Sequence, residues 1–378
     1  MTEVSKVPVS DFDAAVRLLS GGTNVAIYND LGLPSIYVRR DKGLISDVIE
    51  GGSNTTHYAF KVNGTEIPAF YMGKYLGTVY KGRALSLPLL DPVANVVADY
   101  NVGGAPSKNV TFENAKLWCE ANGAGFHLPT IAEYAWIALL SLKNNTLPRG
   151  NNATISEHYK HETGTVSSYD TITTTARTLT GSGPATWNDN WKPDGICDLC
   201  GNVWEWQGGY RTVDGELQIF ADNDAAMQYA QNKDSTRWKA ILQNGQLVEP
   251  GTDDTLKWDY RAEPKPQGTI NSIWLNTKLE IQQSTDEPFG TCQYNLMESA
   301  PGVIVPDRLH ALALFPFSEK SDILFDENRI YTRNIGERVA LRGGYWWGGS
   351  GVFAMLGYYP RSNFGTHIGF RPAFIPGI

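Results

Sequence analysis

The chain has 378 residues, enough to bury a sizeable core and, at roughly 100–200 residues per domain, enough for two domains. A hydrophobic content of 42% with 19% charged residues excludes wholesale disorder, and 38 glycines beside 11 tryptophans and 18 tyrosines favour short strands and loops over long helices. A formal charge of -8 leaves no basic stripe to neutralise phosphates, which sets nucleic acid aside as a partner.

In chain order, Met1 to Asp13 lacks the apolar stretch of an export signal, and the longest apolar run, Ala135 to Leu140, is too short to cross a bilayer. Synthesis in a cytosol without membrane insertion is the expectation. Ser10 is placed to cap a short helix carrying Ala14, Ala15, Val16, Leu18 and Leu19, which Gly21-Gly22 ends. Strands are expected at Val25 to Tyr28 and Ser35 to Val38, and the glycine cluster Gly51-Gly52-Ser53-Asn54 marks a boundary. Residues 1–56 are therefore read as a small α/β or β unit of their own. Further strands are expected at Ala69 to Tyr75 and Thr78 to Tyr80. Helices follow at Thr111 to Ala121 and at Thr130 to Leu142, where Thr130-Ile-Ala-Glu133 forms a capping box. From 210 to 335 the sequence is mixed and polar with few clean periods, as long structured loops or an insertion would be.

Few motifs carry chemistry. Cys197-Asp-Leu-Cys200 has the spacing of a dithiol site or of half a zinc site, but neither Cys119, Cys292 nor the six histidines supplies a clear complement. His158 and His161 are spaced to clamp a metal on one helical turn, and equally to sit in a solvated loop. No hydrolase, metalloprotease or nucleotide-binding signature is present. Gly201-Asn-Val-Trp-Glu-Trp206 reads as a turn followed by a core strand with Trp204 and Trp206 on one side. Glu205 between them needs a cationic partner if buried, and Arg342 and Arg371 are the candidates.

The C-terminal segment differs from the rest. Gly343 to Phe370 contains no Asp, Glu or Lys and a single arginine, Arg361, while Tyr345, Trp346, Trp347, Phe353, Tyr358, Tyr359 and Phe364 alternate with glycine and small polar residues. Rigid aromatic rings among adaptable small residues are the composition of binding loops, so a recognition surface is favoured over a plain turn region.

Four ordered motifs carry a family resemblance: Phe126-His-Leu-Pro-Thr-Ile-Ala-Glu-Tyr134, Gly201-Asn-Val-Trp-Glu-Trp206, Arg342-Gly-Gly-Tyr-Trp346 and Ile368-Gly-Phe-Arg371. They resemble the formylglycine-generating-enzyme (sulfatase-modifying factor) type of C-type lectin fold, which implies an α+β domain over residues 57–378 with an insertion at about 210–335. Pro148-Arg-Gly-Asn-Asn152, Leu179-Thr-Gly-Ser-Gly-Pro-Ala-Thr-Trp187 and the terminal block resemble in particular the variable proteins of diversity-generating retroelements, among them phage tail-fibre receptor-binding proteins.

That resemblance implies a display protein whose C-terminal region, 342–374, is rewritten at asparagine codons to give new receptor-binding variants. Tyr345, Trp347, Gly348, Leu356, Tyr358, Tyr359, Phe364, Gly365 and His367 are then the ligand-binding positions. Asn202, Trp204, Glu205, Trp206, Arg342, Gly343, Gly344, Trp346, Gly369, Phe370 and Arg371 are scaffold, with Gly351, Ala354 and Arg361 beside them. An asparagine codon altered only at its adenines cannot become a tryptophan codon, so Trp347 reads as a fixed neighbour that adds contact. The implied partner is a protein or glycan on a host-cell surface, with the N-terminal unit anchoring to virion proteins or forming a homo-oligomer. The implied location is a virion surface, or the extracellular space after lysis. No cofactor is required, although a structural metal ion is compatible with the reading. In the enzymatic branch the catalytic cysteines follow the Arg-Gly-Gly motif, and this chain has none there. A binder and not an enzyme is expected; the alternatives are a copper-dependent formylglycine-generating-type oxidase and a zinc-stabilised structural protein.

Overall fold

The computed structural model describes residues 9–92, 101, 102, 105, 106, 109–158, 161–169, 176–261, 272–284, 289–317 and 328–378. The polar N-terminus examined for an export signal lies mostly outside them. Among the described residues no helix is long and apolar enough to cross a membrane.

Two sheets organise the molecule. The smaller runs, in spatial order, Asn24–Tyr28, Pro34–Asp41, Ala69–Gly73, Ala373–Phe374 and Phe126–His127, antiparallel throughout. Its order runs across the glycine cluster at Gly51-Gly52-Ser53-Asn54. The first two strands form the predicted hairpin, with Asn24 opposite Val38 and Tyr28 opposite Pro34. The second of them then pairs along its length with Ala69–Gly73, placing Tyr37 opposite Gly73 and Asp41 opposite Ala69. Val38, Ile45, Val48 and Ile49 enter the same buried cluster as Ile131, Ile137 and Ile375. An isolated hairpin buries too little to stand alone, so residues 24–41 take their stability from the body that they edge.

The N-terminal helix spans Val9–Leu19, so Ser10 lies within it and is not its cap. Phe12, Asp13 and Val16 are half-buried, and Asp13 accepts the Ala26 N–H at 2.8 Å, which ties the helix to the hairpin. The helices Phe112–Glu120 and Ile131–Lys143 form where expected. Thr130 caps the second: its hydroxyl accepts the Glu133 N–H, and the Glu133 carboxylate takes the Thr130 N–H at 3.1 Å. This capping box is embedded in a buried network, because His127 Nε2 lies 3.0 Å from Glu133 and Asn223 Nδ2 donates to the same carboxylate at 3.1 Å. Nearly every residue of the Ile131–Lys143 helix is buried, as its continuous apolar run requires.

The larger sheet carries the motifs. Its main path is Leu247–Val248, Lys239–Ile241, Glu216–Ile219, Trp204–Val213, Glu337–Gly343, Gly351–Gly357, Arg329–Thr332 and Gly290–Gln293. Short strands from the region read as loops or an insertion thus extend this sheet. Trp204–Val213 is buried along almost its whole length, since it has Glu337–Gly343 on one side and both Glu216–Ile219 and the short parallel strand Ile368–Gly369 on its other contacts.

Candidate functional site

The scaffold is assembled first. The register sets Glu205 opposite Arg342 and beside Gly369, so the three sequence motifs meet around one strand. Of the two candidate partners, Arg371 reaches the Glu205 carboxylate, donating from Nε at 2.5 Å and from Nη2 at 2.7 Å with both side chains fully buried. Burial opposes the charge on Arg371, but the carboxylate more than offsets it and raises the pKa of the guanidinium. Its remaining donors go to Gly73 O and Cys197 O, both at 3.1 Å. Arg342 is equally buried but donates to carbonyls, Ala313 O at 2.8 Å and Phe353 O at 3.2 Å. Asn202 forms a two-way pair with the Thr178 backbone, accepting at 2.9 Å and donating at 3.0 Å. Trp204 and Trp206 pack with Phe112, Trp118 and Phe370, and Trp206 Nε1 donates to Val110 O at 2.8 Å.

The turn after Glu337–Gly343 is closed by Ser350, whose hydroxyl accepts the Tyr345 N–H at 2.9 Å and donates to Tyr345 O at 2.7 Å. Gly344 sits at φ +91°, and a Cβ there would lie 2.2 Å from Ser350 Oγ, so the turn requires glycine. The neighbouring loop braces it: Thr154 N–H donates to Trp346 O at 2.9 Å and Gly348 N–H to Asn152 O at 2.7 Å. Trp346 is buried, with Arg177 over its ring, while Trp347 is 68% exposed. Arg361 holds its own loop in place by gripping Glu337 with Nε at 2.7 Å and Nη2 at 2.6 Å.

On this frame the predicted binding residues form a run of rings. Tyr345 lies 5.5 Å from His367 between ring centroids, and the hydroxyl of Tyr359 is 3.3 Å from His367 Nε2. Tyr359 meets Tyr358 edge-on at 4.4 Å. Burial holds the His367 pKa below the usual imidazole value and raises those of Tyr345 and Tyr358, so these groups present neutral hydrogen-bonding and aromatic surface. Phe364 is exposed, and Gly348 and Gly365 are half-buried, supplying backbone to the loops. One position is corrected: Leu356 is only 3% exposed, opposite Leu341 and Tyr331 in the sheet, and belongs to the core. Its side chain lies on the sheet face that packs into the cluster of Trp204, Trp206, Leu341 and Phe370. Phe353 is likewise buried, stacked on Tyr294 at 4.8 Å.

The run continues into residues that sequence reading missed. Phe289 stacks face to face on Tyr358 at 4.6 Å, Tyr331 meets Phe289 edge-on at 5.3 Å, and the Arg333 guanidinium lies 5.9 Å from the Tyr358 ring. They precede the C-terminal segment, which begins at Arg342, by nine residues or more, in a region without periodicity, and no local signal marks them.

The enzymatic alternatives depend on cysteine and histidine donors. Cys119, Cys197, Cys200 and Cys292 are free thiols and all are buried, and desolvation raises the Cys197 pKa far above that of a reactive thiol. Among the described residues no three His, Cys, Asp or Glu side chains gather as a metal site would need.

The described residues define an α+β protein built on two sheets with helices packed against them. Residues 97–244 match the FGE-sulfatase family, the Sulfatase-modifying factor enzyme 1-like domain. Similar solved structures include the Major Tropism Determinant P3c variant and M1 variant. Each is 14% identical with a TM-score of 0.33; each alignment covers 93% of this chain, and 72% and 71% of theirs respectively. No curated protein matches the sequence.

Proposed function

We propose that this chain is a receptor-binding display protein, and that the surface built by Tyr345, Trp347, Tyr358, Tyr359, Phe364 and His367 is its recognition site. The observation that supports this reading most is the division of labour within one short segment. Gly343, Gly344, Trp346, Phe370 and Arg371 are buried and engage the Trp204–Val213 strand or its neighbours, while of the residues interleaved with them Trp347 and Phe364 are exposed and Tyr345, Tyr358, Tyr359 and His367 are half-buried. A surface supported in this way accepts replacement of its contact residues without loss of the fold, which is what diversification by a retroelement demands. The segment bears no Asp, Glu or Lys, so its contacts come from rings and hydroxyls, and it needs no cofactor. The partner is a protein or glycan on a host cell, and the location is a phage virion, to which the N-terminal helix and hairpin attach the chain directly or through a homo-oligomer.

The neighbouring DNA tests the proposal. A near-duplicate of the bases encoding the C-terminal segment, beside a reverse-transcriptase gene, is expected. Sibling copies should differ at Tyr345, Tyr358, Tyr359 and His367 and agree at Leu356 and Trp346. Replacements scattered evenly along the chain would sink it. The match to an enzyme-containing family keeps an oxidase as the second reading, for which purified protein would have to bind copper stoichiometrically and convert a cysteine-containing peptide.

A further inference from the structure

We infer that the recognition surface is composite: Phe289, with Tyr331 and Arg333, forms a fixed wall beside the replaceable residues, and this wall selects partners that present an aromatic or aliphatic protein side chain. The inference rests on the reading of the C-terminal aromatic run as a recognition site, and adds to it residues from outside the C-terminal segment and a ligand chemistry.

The geometry begins with Phe289. Its ring is nearly parallel to that of Tyr358, 16° apart at 4.6 Å, and it remains 38% exposed. A solvent-facing ring of this kind, with one face already stacked, has lost most of its rotational freedom and binds at low entropic cost. Its backbone is held as firmly. Gly290 follows it, opposite Thr332 in the sheet, and a Cβ at Gly290 would fall 2.3 Å from Ile273 Cγ2 and 2.8 Å from the Tyr260 ring. Glycine is thus required there, and it fixes the origin of the Phe289 side chain against the Lys257–Tyr260 and Ile273–Asn276 hairpin. Tyr331 supports the wall from beneath, edge-on to both Phe289 and Trp204, and its register opposite Leu356 couples it to the core strand. None of these residues lies in the region that diversification would rewrite.

The ligand chemistry follows from what the surface lacks. Sugar hydroxyls are best held by planar carboxylates and amides that bond two hydroxyls at once, and Asn363 is the single such side chain between Gly343 and Phe370. The rings of that segment, with one amide among them, instead match an apolar side chain, and Arg333 stands at the edge to add cation–π attraction to an incoming aromatic.

Saturation-transfer-difference NMR on the full chain tests this with defined probes: N-acetyl-tryptophanamide and N-acetyl-leucinamide against a panel of methyl pyranosides. The amino-acid probes are expected to give signals that fall several-fold in both Phe289→Ala and Tyr359→Ala, and to recover in Phe289→Tyr, while the pyranosides stay silent. Thermal melts of the variants control for folding. Signals lost in Tyr359→Ala but unchanged in Phe289→Ala would overturn the wall and leave the recognition site standing. Pyranoside signals abolished by Phe289→Ala would overturn the ligand class. Probe signals indifferent to Tyr359→Ala would instead remove the recognition site itself, and silence from every probe would count against the inference.

Discussion

Glu205 and Arg371 form a two-point ion pair in the interior, Nε and Nη2 of the arginine meeting the two carboxylate oxygens at 2.5 and 2.7 Å. The pair joins the Trp204–Val213 strand to the chain just after Ile368–Gly369, and so anchors the C-terminal end of the recognition segment to the body. Removing one partner strands the other charge in a dry site. Arg371→Ala and Glu205→Ala should each lower unfolding free energy by about 3–5 kcal/mol, measured by chemical denaturation. A loss under 1 kcal/mol would mean that water reaches the pair.

Core and surface positions of the recognition segment should separate cleanly. Leu356→Ala is expected to cost about 2–5 kcal/mol, as for other buried leucines, whereas Trp347→Ala should stay within about 0.5 kcal/mol of the parent. Urea unfolding of the two variants decides this. Equal effects would contradict the burial of Leu356.

His57 supplies a pH dependence. Its Nε2 lies 2.8 Å from Ala311 O while Nδ1 accepts the Ala59 N–H, an arrangement that fits the neutral ring. Burial, with a smaller contribution from Lys61, lowers its pKa to about 4. Above pH 6.5 the ring is neutral folded or unfolded and makes no difference. As pH falls from there the unfolded chain takes up a proton that the fold refuses, and stability drops by about 3 kcal/mol once pH 4 is passed. Denaturation of parent and His57→Gln across this range should show a shallower acid slope in the variant; identical slopes would refute the assignment.

Asp259 organises the far end of the insertion. Its carboxylate accepts the N–H groups of Tyr260, Glu280 and Ile281 and the side-chain N–H of Asn276, at 2.9 to 3.1 Å. Asp259→Ala leaves these donors without an acceptor, at about 1–3 kcal/mol for the buried Asn276 amide and less for the part-buried N–H groups. Hydrogen exchange should accelerate at Glu280 and Ile281 first. Unchanged exchange there would show that another acceptor takes over.

Features encoded within a few residues were legible in the sequence. The Thr130 capping box, the hairpin around Asn29 and Gly32, and the strand after Gly201-Asn202 depend on local hydrogen bonds and backbone preferences. The need of Glu205 for a cation was equally plain, because a carboxylate between two tryptophans has no inexpensive alternative. Which arginine answers was not. Arg342 stands directly opposite Glu205 in the register, yet the carbonyls of Leu312 and Ala313 at the end of the Asp307–Ala311 helix take its donors. Those carbonyls are orphaned by the helix terminus, and only the packing of that helix against the sheet brings them there.

The same limit governed the site. Aromatic, glycine-rich and nearly charge-free sequence from Gly343 to Phe370 was enough to mark a candidate recognition segment, since composition alone distinguishes adaptable binding loops from aliphatic core. It could not separate Leu356, which packing against Trp204 and Leu341 buries, from Tyr358 two residues later. Nor could it find Phe289, which reaches Tyr358 through strand order across a separation of 69 residues. Local preference acts over a turn or two of chain, whereas the partners of a ring or a buried charge are chosen by which strands lie side by side, and that was decided by the tertiary fold.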